Sequence, residues 1–529
     1  MKNKKIIALI IAVLFVGFFS GRISIVKADN KARNLYSYMQ LYTEVLKIIE
    51  NAYVDTLNTK ELFESSINGM IEETMDPFTT LMKPSDFEEL KTSTKGEFGG
   101  LGIRISSQGN YITINSVIEG TPANQVGLMA GDKVTKVEGE STKDWDTKKA
   151  ADHMRGPKGT QVIITVQREG LDEPIDFEIT RDIVKIESIP YIYKLDNDIG
   201  YIRIVSFNAT TGNDLHNALI NLQNQGINGL IIDLRSNPGG LLSQAIETVD
   251  QFIPRDELVV YTKGRFRKFN REYYSRDDFA FNNIPIVVLI NRASASAAEI
   301  FSGSLQDYDK ALIVGENSFG KGCVQQLFPL PMNYGIKVTT SKYYIKSGRC
   351  IHKDNNELLG EINKKAKKDT LKAETEKEIF ETVSGRTVYG GGGITPDIFV
   401  KQDTLNKYEV LVRSKNLFFK FAVDYLAEND IDENFNVSEK LLNKFVDYID
   451  ENNVEHTEEE FIEAKYWLKN SLESQIISNK FGMEAGNKIA VRQDPQLQRV
   501  VNLLINHPSL PELFSFAAEN DTLTIEVKK

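Results

Sequence analysis

A short apolar strand that leads at once into small residues and a helix constrains the fold of this chain most. Ile286–Ile290 is a continuous apolar run, typical of a strand that is buried on both faces of a sheet. Asn291 begins a turn of mostly small residues, and from Ala297 apolar residues recur at helical spacing. The pattern therefore predicts Ser296 at a helix N-terminus, where free N–H groups favour negative charge on a hydroxyl.

A serine nucleophile needs a base that takes its proton, and a lysine is the best local candidate. The five histidines all lie outside this stretch, at His153, His216, His352, His456 and His507. A second apolar run, Ala311–Val314, leads instead to a turn in which Gly320 and Gly322 flank Lys321. Glycines let the backbone pack closely and shed water, and desolvation lowers the pKa of a lysine amine. A neutral amine at this position would accept the proton of Ser296.

Two motifs here resemble those of the C-terminal processing peptidases, also called tail-specific proteases, which are serine proteases with a Ser-Lys dyad. The motifs are Ser294–Glu299 (SASAAE) and Gly315–Gln325 (GENSFGKGCVQ). The resemblance implies that Ser296 is the nucleophile, Lys321 the general base and Gln325 the residue that orients the lysine. Lys321 and Gln325 stand four apart in a predicted strand, so we expect their side chains on one face.

The resemblance runs from Leu35 to Val400, and the sequence departs from it at two positions. Ala298 stands where family members often have a third serine, and Cys323 where serine or threonine is common. Neither position is catalytic in the family, so the implied roles are unaffected.

A glycine turn after another predicted buried strand, Gly229–Leu234, is the candidate oxyanion hole. The turn ends in Pro238–Gly240, and the carboxyl ends of parallel strands are where such sheets place their ligands. The residues alone favour a simple strand-to-helix turn. The resemblance implies an oxyanion hole made by the backbone N–H groups of Gly239 and Ala297, with Gly240 as the second choice beside Gly239.

A region of short strands and turns, residues 91–182, is similar to a PDZ domain. The similarity rests on Phe98–Ile103 (FGGLGI), Gly120–Ala123 (GTPA) and Met129–Lys133 (MAGDK). Glycines let successive N–H groups converge on the terminal carboxylate of a peptide, and the adjacent strand edge adds the peptide as an extra strand. A nucleotide loop is excluded because no helix with a G-K-[ST] motif follows. The implied peptide-binding residues are Gly99, Gly100, Leu101, Gly102 and Ile103.

The predicted fold class is an α/β serine protease core, crotonase- or ClpP-like, with a preceding or inserted PDZ domain and helical ends. The predicted segments are a signal peptide or membrane anchor (1–28), a helical arm (29–90), the PDZ domain (91–182), the peptidase core (183–400) with a charged insertion (353–378), and a helical C-terminal domain (401–529). The arm contains two predicted helices, Leu35–Tyr53 and Glu61–Met75. In the family such an arm often pairs subunits into a homodimer, and a hairpin that packs on its own core is the alternative.

The N-terminus predicts export. Lysines at positions 2, 4 and 5 precede the apolar run Ile6–Phe19, which is short for a spanning helix and typical of a signal peptide. Val26–Ala28 resembles a cleavage site, whereas Ile23–Val26 would extend the run past Arg22 into an uncleaved anchor. We therefore expect a periplasmic or other extracytoplasmic protein, either released or held in the cytoplasmic membrane.

The composition excludes several classes of protein. The net charge of −11 and the absence of a basic stripe argue against nucleic acid as a partner. Cys323 and Cys350 are too few for a disulfide scaffold, and they fit one bridge or two buried thiols. The sequence has no HExxH motif and no Cys/His pair at ligand spacing, so we expect neither metal nor cofactor.

The favoured function is an exported serine endopeptidase that binds the free C-terminus of a protein substrate in its PDZ domain and hydrolyses a nearby peptide bond. A crotonase-like acyl-CoA enzyme shares the parallel sheet and glycine oxyanion hole, but it predicts no PDZ domain and no export. A PDZ-based binding scaffold with an inactive protease domain is the third hypothesis. The intact Ser296, Lys321 and Gln325 argue against that scaffold.

Overall fold

The structure is a computed structural model that describes residues 34–108, 110–168, 171, 173–276, 281, 284–353, 378–401 and 405–520. The predicted signal or anchor segment and residues 354–377 of the charged insertion lie outside the described residues. The chain divides into two units, Met1–Leu81 and Met82–Lys529, which are taken separately below. In the described ranges, the helices lack the length and apolarity that crossing a membrane requires.

The first unit is a helical arm. Helix α1 (34–52) is followed by α2 (Thr59–Thr74), whose N-terminus is capped by Asn58. The rings of Tyr42 and Phe63 meet edge to face, with centroids 5.9 Å apart, so the two helices are in contact. The outer apolar side chains of α1 are exposed, namely Leu35, Tyr36, Tyr38, Met39, Leu41, Val45 and Ile48.

A small antiparallel sheet occupies the PDZ-like region. Strand β1 (Thr80–Met82) precedes this region. The region contains α3 (Pro84–Lys95), β2 (Glu97–Gly100), β3 (Ile103–Gln108), β4 (Tyr111–Val117), α4 (Pro122–Gln125), β5 (Lys133–Val137), β6 (Glu140–Ser141), α5 (Thr147–Met154), β7 (Gln161–Gln167), β8 (Ile175–Thr180) and β9 (Asp182–Lys185). The strand order is β3-β4-β5-β7-β8, β6 pairs with β5, and β2 pairs with β9. Strand β3 is therefore an edge strand.

A mostly parallel sheet forms the centre of the second unit. Its elements are β10 (Tyr191–Lys194), β11 (Ile199–Arg203), α6 (Thr211–Asn224), β12 (Gly229–Asp233), α7 (Leu242–Asp250), β15 (Ile286–Ile290), α8 (Ala297–Asp307), β16 (Leu312–Gly315) and β21 (Ile398–Phe399). The order is β10-β11-β12-β15-β16-β21, with only β10 antiparallel to its neighbour. The predicted strand Ile286–Ile290 is β15, and it is buried throughout. The loops after β12, β15 and β16 consequently leave the sheet at one edge.

An antiparallel sheet lies beside the parallel one. Its strands β13 (Leu258–Lys263), β14 (Arg271–Tyr274), β17 (Cys323–Pro329) and β18 (Gly335–Ile345) pair in the order β17-β18-β13-β14, and β19 (Ile379–Glu381) pairs with β20 (Thr387–Tyr389). The predicted strand through both Lys321 and Gln325 is wrong, because β17 begins only at Cys323. The register also shifts between Val324 and Gln325. Strand alternation therefore does not determine how Lys321 faces Gln325.

In the described part of the C-terminal region, the regular elements are all helices. It comprises α9 (Lys407–Ser414), α10 (Leu417–Glu428), α11 (Glu439–Glu451), α12 (Glu458–Phe481), α13 (Met483–Arg492), α14 (Pro495–Asn506) and α15 (Leu510–Glu519). Helices α9 to α12 bury a core of their own. Helices α14 and α15 instead bury apolar side chains against one face of the parallel sheet. The region therefore has two parts with different packing partners.

Candidate active site

Ser296 lies on a strained turn between β15 and α8. Its φ of 56° and ψ of −113° fall in a region that non-glycine residues seldom adopt, and such strain concentrates at functional sites. It is the N-cap residue of α8 and is half-buried. This is the strand-turn-helix geometry that presents a nucleophilic hydroxyl at the end of a sheet.

Glu299, one turn into α8, joins the turn that ends at Ser296 (the serine turn) to the loop that carries Lys321. Its Oε2 accepts hydrogen bonds from the N–H groups of Ser296 (2.7 Å) and Lys321 (2.9 Å). Its Oε1 accepts from the Gly320 N–H (2.7 Å) and the Ser318 hydroxyl (2.5 Å). Burial raises the pKa of Glu299, and these four hydrogen bonds oppose that rise. One buried carboxylate thus brings the main chains of Ser296 and Lys321 together.

The Tyr343 hydroxyl, from β18, makes the same link from the other side. It lies 2.5 Å from the carbonyl oxygen of Lys321 and 3.1 Å from that of Ser296. Burial raises the pKa of Tyr343, so the group stays a neutral donor. Lys337, also on β18, is half-buried, and its burial and the nearby charge of Lys321 lower the pKa of Lys337. Lys321 therefore lies close to β18.

Gln325 lies on β17, directly opposite Thr339 of β18, and is half-buried. None of the contacts described above connects it with Ser296. The pairing of β17 with β18 fixes the position of its main chain.

The loop after β12 lies against the serine turn, and only glycine fits at its closest point. A Cβ on Gly239, where φ is 92°, would lie 2.8 Å from the Cβ of Ser296 and 2.6 Å from the carbonyl oxygen of Ala295. However, the Gly239 N–H already donates to Oδ1 of Asn237 at 2.8 Å. Among the described residues, no acceptor faces the N–H groups of Gly240 or Ala297. The available donors are therefore those of Gly240 and Ala297.

The five residues predicted to bind the peptide, Gly99 to Ile103, lie in three places: the end of β2, the turn after it and the start of β3. Gly99 and Gly100 belong to β2 and pair with Ile183 and Asp182 of β9. The N–H groups of Leu101 and Gly102 have no acceptor in the described part of the chain.

Ile103 begins the edge strand β3, so free donors and an open strand edge adjoin each other. The side chains of Leu101 and Met154 are buried in the core of this small domain.

Sequence reasoning missed Glu299 and Tyr343 as members of the site. Glu299 carried a local signal, since an acidic residue three positions after a serine is typical of a helix capping box. Tyr343 carried none, because it reaches the site only through the fold.

The described residues contain no group of three His, Cys, Asp or Glu side chains that would hold a metal ion. Cys323 and Cys350 are both free thiols, and burial raises the pKa of Cys350.

Four family models match the sequence. Residues 198–358 match Peptidase family S41, and residues 113–168 match the PDZ domain. Residues 22–85 match the Activating protease CtpB N-terminal domain, and residues 408–482 match a family of unknown function. These segments coincide with the parallel sheet, the small antiparallel sheet and the two helical ends.

Several bacterial proteins are similar over most of the chain. A carboxy-terminal-processing protease of Bartonella bacilliformis is 35% identical over 384 residues, which cover 72% of this chain and 79% of that protein. A carboxyl-terminal-processing protease of Synechocystis sp. is 36% identical over 304 residues, 56% of this chain and 70% of that protein. The carboxy-terminal processing protease CtpA of Bacillus subtilis is 31% identical over 348 residues, 66% of this chain and 74% of that protein.

Proposed function

The chain belongs to the carboxy-terminal-processing proteases of peptidase family S41, and on that basis we propose that it hydrolyses peptide bonds through a Ser296–Lys321 dyad. The predictions of this family, of an α/β peptidase core with a PDZ domain and helical ends, and of serine-type peptidase activity are confirmed. The acyl-CoA enzyme and the inactive scaffold have no support from these matches.

The proposed reaction begins with attack by the Ser296 hydroxyl on the peptide carbonyl. In its deprotonated form, the amine of Lys321 accepts the serine proton and later delivers it to the leaving amine, and Gln325 orients the lysine. Water then hydrolyses the acyl-enzyme with Lys321 again acting as the base. The observation that supports this pairing best is the Glu299 carboxylate oxygen shared by the N–H groups of Ser296 and Lys321.

We place the oxyanion between the N–H groups of Gly240 and Ala297. Both lack an acceptor among the described residues, whereas the Gly239 N–H is engaged by Asn237. Gly239 then serves by letting the loop approach Ser296 closely. Each such donor contributes roughly 3–4 kcal/mol to transition-state stabilisation in comparable enzymes.

The dyad is tested by cleavage of an unstructured protein. We expect Ser296→Ala, Lys321→Arg and the double variant to fall to the same low rate, since coupled catalytic residues are non-additive and a guanidinium cannot lose its proton. Lys342→Arg, at an exposed lysine of β18, is the matched control and should retain activity. Brisk cleavage by Lys321→Arg would contradict the dyad.

The PDZ domain binds peptides, and we propose that its ligand here is the free C-terminus of a substrate protein. The unpaired N–H groups of Leu101 and Gly102 beside the edge strand β3 suit a terminal carboxylate and an extended tail. Amidation of the tail should weaken binding by about 1.5–3 kcal/mol, the range for a charge-assisted hydrogen bond. Equal rates for free and amidated tails, measured well below saturation, would contradict tail recognition.

Export and assembly are also proposals. Lys2, Lys4 and Lys5 with the run Ile6–Phe19 support transfer across the bacterial cytoplasmic membrane, by a cleaved signal or a retained anchor. A fusion of residues 1–40 to a reporter that is active only outside the cytoplasm tests this, with residues 29–40 as the control fusion. A silent but well-expressed long fusion would contradict export.

The exposed apolar side chains of α1 support pairing of subunits through this helix. Sedimentation of the protein from residue 29 onward tests it, with Leu41→Glu and Ile48→Glu as the disrupting variants. A monomer at high concentration would contradict the homodimer.

A further inference from the structure

Helix α14 reaches the loop that carries Gly239 and Gly240. One buried core cluster contains Leu497, Val500 and Leu504 of α14 together with Ile231 of β12 and Val287 of β15. Helices α6, α7 and α8 bury their apolar side chains in the other core cluster, on the opposite face of the same sheet. Helix α14 thus covers the sheet directly beneath the strands that end at the active site.

The N-terminus of α14 contacts Arg235, the first residue of the loop 235–240, which we call the oxyanion loop. Oδ2 of Asp494 lies 2.7 Å from Nη2 of Arg235, and Oε1 of Gln496 accepts a hydrogen bond from Nη1 at 2.8 Å. The other Asp494 oxygen, Oδ1, accepts from the Leu497 N–H at 3.0 Å and so caps the helix. Asp494 therefore performs two separate tasks with its two oxygens.

The Arg235 guanidinium also binds a carboxylate of its own strand end, in addition to its partners on α14. Its Nε and Nη2 donate to the buried Asp233 carboxylate, at 3.0 Å and 2.6 Å. Burial alone would lower the pKa of Arg235, but the charges of Asp233 and Asp494 raise it, so the guanidinium stays charged. A guanidinium in this position has no freedom to turn unless one of its carboxylates is removed.

The residues immediately after Arg235 form the site. Ser236 has a φ of 58°, and its N–H donates to Oδ1 of Asn291 at 2.8 Å. Asn237 then engages the Gly239 N–H, and Gly239 packs on Ser296. The loop is therefore clamped at its first residue by Arg235 and at its far end by the serine turn.

We propose that Asp494 and Gln496 are positioning residues for the oxyanion loop, so that the C-terminal helices complete the peptidase site rather than form a separate appendage. This inference rests on the proposed oxyanion role of Gly240 and Ala297. A misplacement of about 1 Å in such a loop is enough to lower kcat about 100-fold.

The decisive variant is Asp494→Ser in the full chain. Serine caps helices as well as aspartate does, but its single oxygen cannot both cap α14 and bind Arg235. We expect kcat to fall about 10- to 100-fold with KM within about twofold of wild type. The affinity for a peptide aldehyde, which forms a tetrahedral adduct with the nucleophile, should fall in parallel, whereas a purely structural role would leave this affinity unchanged.

Asp494→Asn keeps the shape of the side chain but has one acceptor oxygen, which cannot both cap α14 and bind Arg235, so it should show the same loss of kcat and aldehyde affinity as Asp494→Ser. Gln496→Leu should show the same kcat and aldehyde pattern in weaker form. Asp430→Ser is the matched control, because Asp430 makes an ion pair of the same 2.7 Å with Lys480 in the helical region and is not among the groups at the oxyanion loop. If Asp494→Ser shows no native melting transition, Asp494→Asn and Gln496→Leu decide by the same readouts.

Wild-type kcat and aldehyde affinity in the folded Asp494→Ser and Gln496→Leu variants would overturn the inference. That outcome is distinct from failure of the proposed function, which would appear as a wild-type protein without activity or a fully active Ser296→Ala. Activity that depends on Ser296 but not on Asp494 rejects only the positioning role.

Discussion

Two glycine turns of this protein look alike in sequence and differ in what holds them. The turn at Gly239 and Gly240 begins at buried charged groups, because Asp233 and Arg235 anchor its first residues. The turn that contains Gly102 follows a strand, β2, which is held by main-chain pairing with β9. Glycine content alone therefore indicates where N–H groups gather, and the surroundings decide which of them remain available to a ligand.

The largest effect is expected at Gly239. In Gly239→Ala the new methyl group would meet Ser296 Cβ at 2.8 Å and Ala295 O at 2.6 Å, at a φ that alanine rarely adopts. We expect kcat to fall at least about 100-fold, as for loss of an oxyanion donor. The affinity of the PDZ domain for the substrate tail should be unchanged. Gly69→Ala, with open space around its Cβ, is the control. A fully active Gly239→Ala would show that catalysis does not require the close approach of this loop to Ser296.

A second prediction concerns the anchoring charges. Burial alone would raise the pKa of Asp233, but Arg235 and Arg203 hold it at about 2. Because the folded pKa is depressed, the stabilisation is present above pH 3.8 and is lost as the pH falls toward 2. It amounts to about 2 kcal/mol in the free energy of unfolding.

Chemical unfolding of wild type and Asp233→Asn between pH 2 and pH 6 measures the stabilisation that the ionised Asp233 provides. Asp233→Asn should be less stable at pH 6, because its arginine partners lose a buried counter-charge, and its acid dependence should be flatter. Asp182→Asn is the control beside the PDZ turn, where an exposed pairing with Lys158 lowers the pKa of Asp182. If the free energy of unfolding depends on pH equally in wild type and Asp233→Asn, the buried charges do not anchor the turn at Gly239 and Gly240.

A smaller effect is expected at Gly102. A Cβ there would lie 2.3 Å from the Thr121 side chain, so Gly102→Ala should displace the free N–H groups and weaken tail binding about tenfold, the loss of one hydrogen bond to a charge. Gly120→Ala shares the positive φ but has no neighbour within 4 Å, so it isolates the backbone cost. Calorimetry with a tail peptide measures both. Identical affinities for the two variants would show that tail binding does not depend on the exact position of the turn at Gly102.

The smallest effect concerns the side chain of the tail. Ile103, the first residue of β3, is apolar and half-buried, so a tail ending in Ala-Ala should be cleaved severalfold faster than one ending in Asp-Asp. Each buried methylene contributes about 0.8 kcal/mol, which limits the expected preference. Competition between the two substrates in one reaction gives the ratio directly. A preference for Asp-Asp would place the selectivity outside this turn.

The sequence by itself determined the strand Ile286–Ile290, the serine turn after it, the glycine-flanked lysine and the small domain with its glycine turn. These follow from local signals, because an apolar run, a helix start and a glycine turn each depend on neighbouring residues. The family resemblance then supplied the chemistry.

Only the tertiary structure decided which groups meet. The link from Glu299 to Lys321, the Tyr343 hydroxyl, the engagement of Gly239 by Asn237 and the contact of Asp494 with Arg235 were all invisible in the sequence. The strand that begins at Cys323, with its register shift, likewise replaced the predicted one. Most of these contacts join residues far apart in the chain, and the Asn237 contact depends on how its loop is folded. Each forms only when packing of the sheets and helices fixes directions that periodicity leaves open.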